Sequence, residues 1–160
     1  MWLIKRKLPW FLLFFVIILL DQFTKYLARM FLVEGASYKV FPFLNFALNF
    51  NRGAAFSFLA SQSGWQMHVL AIISLVVAII FIVALLRLPA SEKLQAFCLS
   101  LIIGGALGNF IDRAFSPHVT DFIDFHLGDW HYATFNAADA AVCIGVVLWL
   151  LKIIWEGRSK

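Results

Sequence analysis

The chain has 160 residues, of which 62% are hydrophobic, 17% aromatic and only 14% charged, and its formal net charge is +4. A soluble globular domain carries about 25% charged residues, and a disordered chain is poor in aromatic residues. Both classes are therefore excluded, and the composition predicts an all-α polytopic membrane protein. At roughly 20 residues for each spanning helix, we expect four spans in a single integral membrane domain, residues 1–160.

The first predicted span covers residues 9–30. Three basic residues at positions 5–7 precede an apolar run from Leu8 to Leu20, which is the layout of a secretory signal peptide. No pair of small residues that would mark a cleavage site follows the run, which continues directly into Asp21. We therefore expect this segment to be retained as a membrane-spanning helix.

A strand is predicted between the first and second spans. Apolar Leu44, Phe46, Leu48 and Phe50 alternate with Asn45, Ala47, Asn49 and Asn51. A period of two is typical of a strand with one apolar face. We expect a small amphipathic β segment resting on the membrane surface, with a plain loop as the alternative.

Three further spans are predicted at residues 67–87, 94–112 and 136–155. The second is the clearest, because the stretch from Val69 to Leu86 is uncharged and has only Ser74 as a polar side chain. The connecting segments 31–66 and 113–135 are expected to form loops beside the β segment. Cys98 and Cys143 each lie within an apolar run, which favours buried core thiols over a disulfide or a metal site.

The basic residues predict the orientation of the chain in the membrane. Eight of the 13 Lys and Arg residues lie in the short stretches 1–7, 87–93 and 152–160. Cytoplasmic segments are enriched in basic residues, so we expect both termini in the cytoplasm and no nucleic-acid partner. Seven of the nine acids lie at or beyond the opposite face, where ionisable groups near hydrocarbon indicate function.

Polar residues recur at one depth near the extracytoplasmic ends of the spans. Helical spacing places Asp21 with Lys25 on one face of the first span. Similar spacing groups members of the third and fourth spans, and Asp121 lies in the apolar stretch between them. Gly104, Gly105 and Gly108 form a small-residue face that allows close approach of helices. The converging residues are Asp21, Lys25, Asn109, Asp112, Arg113, Asp121, Asn136 and Asp139.

This convergence has a structural and a chemical interpretation. The structural one is that Asp21 pairs with Lys25, and Asp112 with Arg113, to satisfy buried polar groups. The chemical one is that two carboxylates, held together, share a proton near neutral pH. The ionised one then deprotonates a water while the protonated one polarises a peptide carbonyl. Asp121 and Asp139 are the best pair, and this chemistry requires no metal or cofactor.

Two other catalytic arrangements are less well supported by the sequence. Ser57 and Lys25 lie on the same side of the membrane and could form a serine–lysine pair, but nothing in the local sequence brings them together. His118, His126, Asp129 and His131 are residue types that bind metals, but their spacing matches no compact metal motif.

Five segments, taken in order, resemble the lipoprotein signal peptidases, or signal peptidase II, of the bacterial inner membrane. DQFTK at 21–25 resembles the family's D-x-x-T-K motif, and NRGAAFS at 51–57 resembles N-x-G-A-A-F-S. GGALGNFIDR at 104–113 resembles G-G-x-x-G-N-x-x-D-R. VTDFI at 119–123 resembles V-x-D-F-I, and FNAAD at 135–139 resembles F-N-x-A-D.

The resemblance implies an aspartyl endopeptidase that removes the signal peptide from diacylglyceryl-modified prolipoproteins. Hydrolysis takes place just before the lipidated cysteine, with Asp121 and Asp139 as the catalytic residues. The resemblance also implies supporting or substrate-binding roles for Asp21, Lys25, Asn51, Asn109, Asp112, Arg113 and Asn136. Membrane lipids are the other expected partner, and no cofactor or oligomeric partner is implied. As a further hypothesis, the apolar face of the strand holds the substrate against the bilayer.

Two functions from other classes remain as alternatives. A small proton-coupled transporter or channel also contains intramembrane Asp, Lys and Arg residues. It predicts polar groups along a path across the bilayer. A noncatalytic assembly factor that uses the glycine face of the third span predicts that both aspartates are dispensable.

Overall fold

The computed structural model describes residues 2–53 and 65–158, and within them four long helices and a small antiparallel sheet. Four helices are long and apolar enough to cross a membrane, so the predicted fold class is confirmed. In chain order the elements are α1 Trp2–Phe31, β1 Ser37–Phe41, β2 Leu44–Asn51, α2 Trp65–Arg87, α3 Lys93–Phe115, β3 Val119–Leu127, β4 Trp130–His131 and α4 Ala137–Arg158.

The helix α3 is at the centre of the bundle and contacts each of the other three helices. In the most apolar 18-residue stretch of α3, 61% is buried, whereas in the corresponding stretches of α1, α2 and α4 only 17–22% is buried. The core beside it includes Phe14 of α1, Leu85 of α2 and Leu99 of α3. Outward-facing residues are equally apolar, such as Leu19, Ile80 and Leu151. Apolar residues on all faces are typical of helices surrounded by lipid.

The glycines of α3 allow α1 and α4 to approach its backbone. A Cβ added at Gly104 would lie 2.7 Å from the Cβ of Ile17, and one at Gly108 would lie 2.6 Å from Asp21 Oδ2. A Cβ at Gly105 would meet the carbonyl oxygen of Ala138. The predicted small-residue face therefore brings the polar ends of α1, α3 and α4 together, as small residues do in membrane bundles.

We expect Gly105→Leu to lower the free energy of unfolding by about 1–3 kcal/mol, because the added atoms meet backbone that cannot move aside cheaply. Thermal unfolding of the detergent-purified protein measures this change. Gly157→Ala is the matched control, because a Cβ there meets nothing within 4 Å. Equal midpoints for the two variants would contradict the close packing of α3 on α4.

The sheet has the strand order β1-β2-β3-β4, with every neighbouring pair antiparallel. The predicted strand at 44–50 is confirmed as β2. The expectation of loops elsewhere is wrong, because β1, β3 and β4 fall within 31–66 and 113–135. Residues 123–127 of β3 alternate between apolar and polar side chains, but residues Val119–Phe122 are all buried, and a stretch of strand covered on both faces lacks the period of two.

Two further expectations are corrected. Cys98 is buried as predicted, but Cys143 is exposed on α4, because α4 turns this face away from α3. Leu48 is only 6% exposed and packs with Ala28 and Phe122, so it is unavailable to clasp a substrate. All four helices also extend past one or both predicted ends; α1, for example, begins well before residue 9 and includes Pro9.

Candidate active site

Asp121 lies on β3, where its carboxylate is held by two amide side chains. Asn51, at the end of β2, donates to Oδ2 at 3.1 Å, and Asn136 donates to Oδ1 at 2.7 Å. The strand pairing places Asn49 opposite Asp121 after an irregularity in β2. Asn51 therefore projects from the same face two residues farther along, which is the diagonal position from which it reaches Asp121.

Asp139 is held by the local geometry at the start of α4. The side chain of Asn136 accepts a hydrogen bond from the backbone N–H of Asp139 at 3.0 Å. In return, Asp139 Oδ2 accepts one from the backbone N–H of Asn136 at 3.2 Å. This reciprocal pair is a capping box, and a carboxylate in the first turn also interacts favourably with the helix dipole. The segment F-N-A-A-D therefore both starts the helix and orients its aspartate.

Two asparagines connect the aspartates of β3 and α4. Asn109 of α3 donates to Asp139 Oδ1 at 2.7 Å. The side-chain oxygen of Asn109 accepts from Asn136 Nδ2 at 3.2 Å, and Asn136 also donates to Asp121. The carboxylates therefore belong to one hydrogen-bonded network, which predefines their orientation before a substrate binds.

A buried ion-pair cluster supports this network from behind. Lys25 Nζ lies 2.8 Å from Asp21 Oδ2 and 3.2 Å from Asp112 Oδ2, and it donates to Asn109 Oδ1 at 3.1 Å. Asp21 also accepts from the backbone N–H of Ala138 at 2.9 Å, so α1 caps the first turn of α4. The expected pairing of Asp21 with Lys25 is confirmed, but Asp112 pairs with Lys25 rather than with Arg113.

A cavity of about 500 Å³ opens beside the two aspartates, both of which line it. Arg113 also lines it and donates through Nη1 to Ser74 Oγ at 3.3 Å. Its Nε is buried and has no hydrogen-bond partner within the described part of the chain. Cys143, one helical turn beyond Asp139, forms part of the wall. The cavity therefore combines apolar walls with a few polar groups, as ligand sites generally do.

Three polar residues at the site were not among those predicted. Gln22 donates at 3.1 Å to Asp21, to Asp112 and to the carbonyl of Gly108. The backbone N–H of Thr120 donates to Asp112 Oδ2 at 3.1 Å, and Ser74 receives Arg113. Gln22 could have been found from its position inside the segment DQFTK. Ser74 could have been found because it is the only polar side chain in an apolar span.

The histidines of the metal-site alternative do not converge on one point in the described part of the chain. His126 and His131 stack with ring centroids 5.0 Å apart, and His131 Nδ1 pairs with Asp124 at 2.8 Å. His118 instead packs against the ring of Phe50. Within the described residues, no three His, Cys, Asp or Glu side chains are placed to hold a metal ion.

For the serine–lysine alternative, Lys25 is fully buried between two carboxylates. Ser57 lies outside the residues that the structure describes.

The environment of Asp121 favours its protonated form. Burial is the largest effect and the nearby charge of Asp139 the second, and together they raise the pKa of Asp121 to about 7. Hydrogen bonds from Asn51 and Asn136 act in the opposite direction and lower this pKa. An unperturbed Asp has a pKa of about 3.9. Asp121 therefore holds its proton up to about neutral pH, beside the charge of Asp139.

The arrangement therefore places two carboxyl groups on one cavity wall, one of them with a raised pKa, and such a pair is suited to general acid–base chemistry. Every site residue predicted from the sequence lies in this network or lines the cavity.

Comparison with known proteins agrees with this geometry. The family model described as signal peptidase (SPase) II matches residues 13–155. A lipoprotein signal peptidase of Coxiella burnetii (strain Dugway 5J108-111) is 54% identical over 156 residues, covering 98% of this chain and 96% of the relative. A lipoprotein signal peptidase of Francisella tularensis subsp. novicida (strain U112) is 47% identical over 159 residues and covers 99% of each chain.

Two solved structures of bacterial membrane enzymes, both obtained by the in meso method, have the same fold. The one at 2.3 Å resolution has a TM-score of 0.85 at 32% identity, covering 95% of this chain and 91% of the other. The one at 1.9 Å has a TM-score of 0.80 at 30% identity, covering 91% and 92%. With the family model matching most of its length, the chain belongs to the signal peptidase II family of membrane proteases.

Proposed function

We propose that this chain is one membrane peptidase domain that cleaves diacylglyceryl-modified prolipoproteins just before the lipidated cysteine. The observation that carries the proposal is the pair Asp121 and Asp139, held by shared asparagines on the wall of one cavity. Relatives named lipoprotein signal peptidase support the choice of substrate. The transporter alternative has no comparable support, because the polar network lies at one end of the bundle.

The two aspartates divide the chemistry between base and acid. The ionised carboxylate takes a proton from water as the water oxygen attacks the peptide carbonyl, and the protonated carboxyl donates a hydrogen bond to the carbonyl oxygen. A tetrahedral intermediate forms. The carboxyl group that took the proton from water then gives it to the amide nitrogen of the cysteine, the C–N bond breaks and the signal peptide leaves with a new carboxyl group. No covalent intermediate with the enzyme is needed.

The other site residues hold the pair and the substrate in place. Asn51 and Asn136 donate to the two carboxylate oxygens of Asp121, Asn109 donates to Asp139, and Lys25 supplies positive charge behind them. Arg113, with its buried and unpartnered Nε in the described structure, is suited to bind a backbone carbonyl of the substrate. Preorganised donors of this kind lower the barrier because they need not reorient during the reaction.

We also propose that the protein lies in the bacterial inner membrane with both termini in the cytoplasm and the active site near the extracytoplasmic face. The excess of Lys and Arg in segments 1–7, 87–93 and 152–160 supports this orientation. A reporter that fluoresces only in the cytoplasm, fused after the last residue, should be bright. If the full-length fusion protein is present but not fluorescent, the C-terminus lies outside the cytoplasm and the proposed orientation is wrong.

Cleavage of a defined precursor tests the function. The purified protein in detergent or lipid is incubated with the diacylglyceryl-modified precursor and with the same precursor lacking the lipid. Mass analysis should detect the released signal peptide only from the lipidated form. Absence of cleavage under all lipid and detergent conditions would reject the proposal, and ion or solute flux in vesicles would then favour a transporter.

The shared proton predicts a pH dependence. Asp121 carries the raised pKa of about 7, so the pair holds its proton below that pH and loses it above. We expect kcat/KM, which reports the free enzyme, to fall about tenfold per pH unit on the alkaline side. Initial rates of precursor cleavage at several pH values measure it, and a rate that keeps rising to pH 9 would contradict the shared proton.

A further inference from the structure

A second, apolar cavity lies on the other side of β3 from the active site. We name it the α1 groove; α1 lines it with Leu27, Phe31 and Leu32, and the sheet lines it with Phe46 and Phe122. Its volume is about 250 Å³. An apolar cavity of about 150 Å³ holds one benzene molecule, so this one has room for roughly ten carbon atoms. That is the size of an acyl-chain segment rather than of a whole lipid.

The groove opens on the lipid-facing surface of the bundle. Phe31 and Phe46 line it while remaining 71% and 37% exposed. The neighbouring α1 residues Phe23 and Met30 are 57% and 58% exposed. In a spanning helix such residues contact hydrocarbon, so an acyl chain reaches the groove without crossing water.

Arg29 lies beside β3, near the groove but outside the residues that line it. It is exposed in the last turn of α1, and its Nη1 donates to Thr120 Oγ1 at 2.8 Å. Thr120 and Phe122 project from the same face of β3, since side chains alternate along a strand. The guanidinium therefore lies on the groove side of the sheet. A guanidinium has five N–H donors in a fork that matches a phosphate group.

The charge around Arg29 also suits an anion. Burial lowers the pKa of His118, and the charges of Arg29 and Arg52 lower it further. The charges of Asp112 and Glu34 raise this pKa, but the net shift is downward. Both arginines therefore lie near this ring, and His118 is mainly uncharged at neutral pH. Asp112 is already paired with Lys25. Among the exposed charges near this ring, Arg29 and Arg52 outnumber Glu34.

We propose that the α1 groove binds one acyl chain of an anionic glycerophospholipid, with Arg29 holding the lipid phosphate. The lipid comes from the membrane leaflet on the active-site side. The diacylglyceryl group of the proposed substrate is a different ligand, because it has acyl chains but no phosphate. Phe122 directly follows Asp121, so the bound chain packs against the strand that presents this aspartate.

Lipid binding is measured without any cleavage reaction, so the result is independent of the proposed function. The delipidated protein is titrated with phosphatidylglycerol and, separately, with diacylglycerol, and bound lipid is counted by native mass spectrometry. We expect one phosphatidylglycerol per chain. Arg29→Gln should weaken its binding about tenfold, the size expected for loss of charge-assisted hydrogen bonds, and should leave diacylglycerol binding unchanged.

Two further variants complete the design. Arg87→Gln is the matched control, because Arg87 lies at the opposite end of the bundle, beside the Leu88 carbonyl that accepts from Lys7; it should bind phosphatidylglycerol like the unchanged chain. Thr24→Phe adds a ring that fills the groove. The Thr24 hydroxyl donates to carbonyl groups of its own helix. This variant should weaken the binding of both lipids.

Thermal unfolding provides a second readout, because a ligand that binds only the folded state stabilises it. Phosphatidylglycerol should raise the midpoint of the unchanged chain and of Arg87→Gln more than that of Arg29→Gln. The proposal is overturned if Arg29→Gln and Arg87→Gln bind phosphatidylglycerol equally. It is also overturned if Thr24→Phe retains full binding, or if phosphatidylglycerol and diacylglycerol bind alike.

Discussion

Asp121→Asn and Asp139→Asn should each reduce cleavage of the lipidated precursor by about 10³-fold or more, since general acid–base catalysis contributes up to about 10⁴-fold. An amide cannot take a proton from water or share one with the remaining carboxylate. Because the two aspartates act as a unit, the double variant should be little worse than either single variant. Initial rates of signal-peptide release measure all three.

The control for this experiment is Asp129→Asn, which removes a carboxylate from an exposed position beyond the end of β3. It should cleave at the rate of the unchanged chain. Asp121→Asn should remain folded, because burial penalises the charged form of this side chain, which the amide lacks. Full processing by either catalytic variant would reject the assignment of the pair, and dispensable aspartates would favour an assembly factor.

Lys25→Met should lower the free energy of unfolding by about 3–5 kcal/mol, the range observed when one partner of a buried ion pair is removed. Lys25 is fully buried, and its loss leaves the carboxylates of Asp21 and Asp112 without their counter-ion. Unfolding of the detergent-purified protein by heat or denaturant measures the change. The methionine has similar length, so the effect reports charge rather than a cavity.

Two comparisons make the Lys25 prediction specific. Lys152→Met removes a lysine that pairs with Glu92 and Glu156 near the end of α4. Ion pairs at the surface contribute little to stability. The unfolding midpoint of this variant should therefore hardly change. Lys25→Met combined with Asp112→Asn should recover part of the loss, because one unpaired carboxylate is removed. Equal stability of Lys25→Met and Lys152→Met would show that the cluster is not structurally important.

The four helices, and several residues that meet in the hydrogen-bonded network, could be predicted because their signals are local. A run of apolar residues identifies a spanning helix wherever it packs, and the spacing of Asp21 with Lys25 places both on one helix face. The capping box of Asn136 and Asp139 is likewise contained in four residues. The strand β2 was detectable because apolar and polar residues alternate along its sequence.

The parts that could not be predicted depend on distant segments. Strand β3 is paired with β2 and its first four residues are buried, so alternation marks only its second half, residues 123–127, in the sequence. The role of Gln22 depends on α3 lying within hydrogen-bond distance, and the exposure of Cys143 depends on the rotation of α4. Such contacts are decided by packing between elements that are far apart in the chain.

The sequence by itself determined the membrane environment, the four spans, the gathering of acids at one end and the resemblance to signal peptidase II. These follow from composition, short-range periodicity and motif order, which do not require knowledge of the packing. Only the tertiary structure decided that Asp112 pairs with Lys25, that Asp21 caps α4, and that two asparagines connect the aspartates. Buried polar groups must find partners, but several partners satisfy that need, and the close approach of helices at the α3 glycines selects among them.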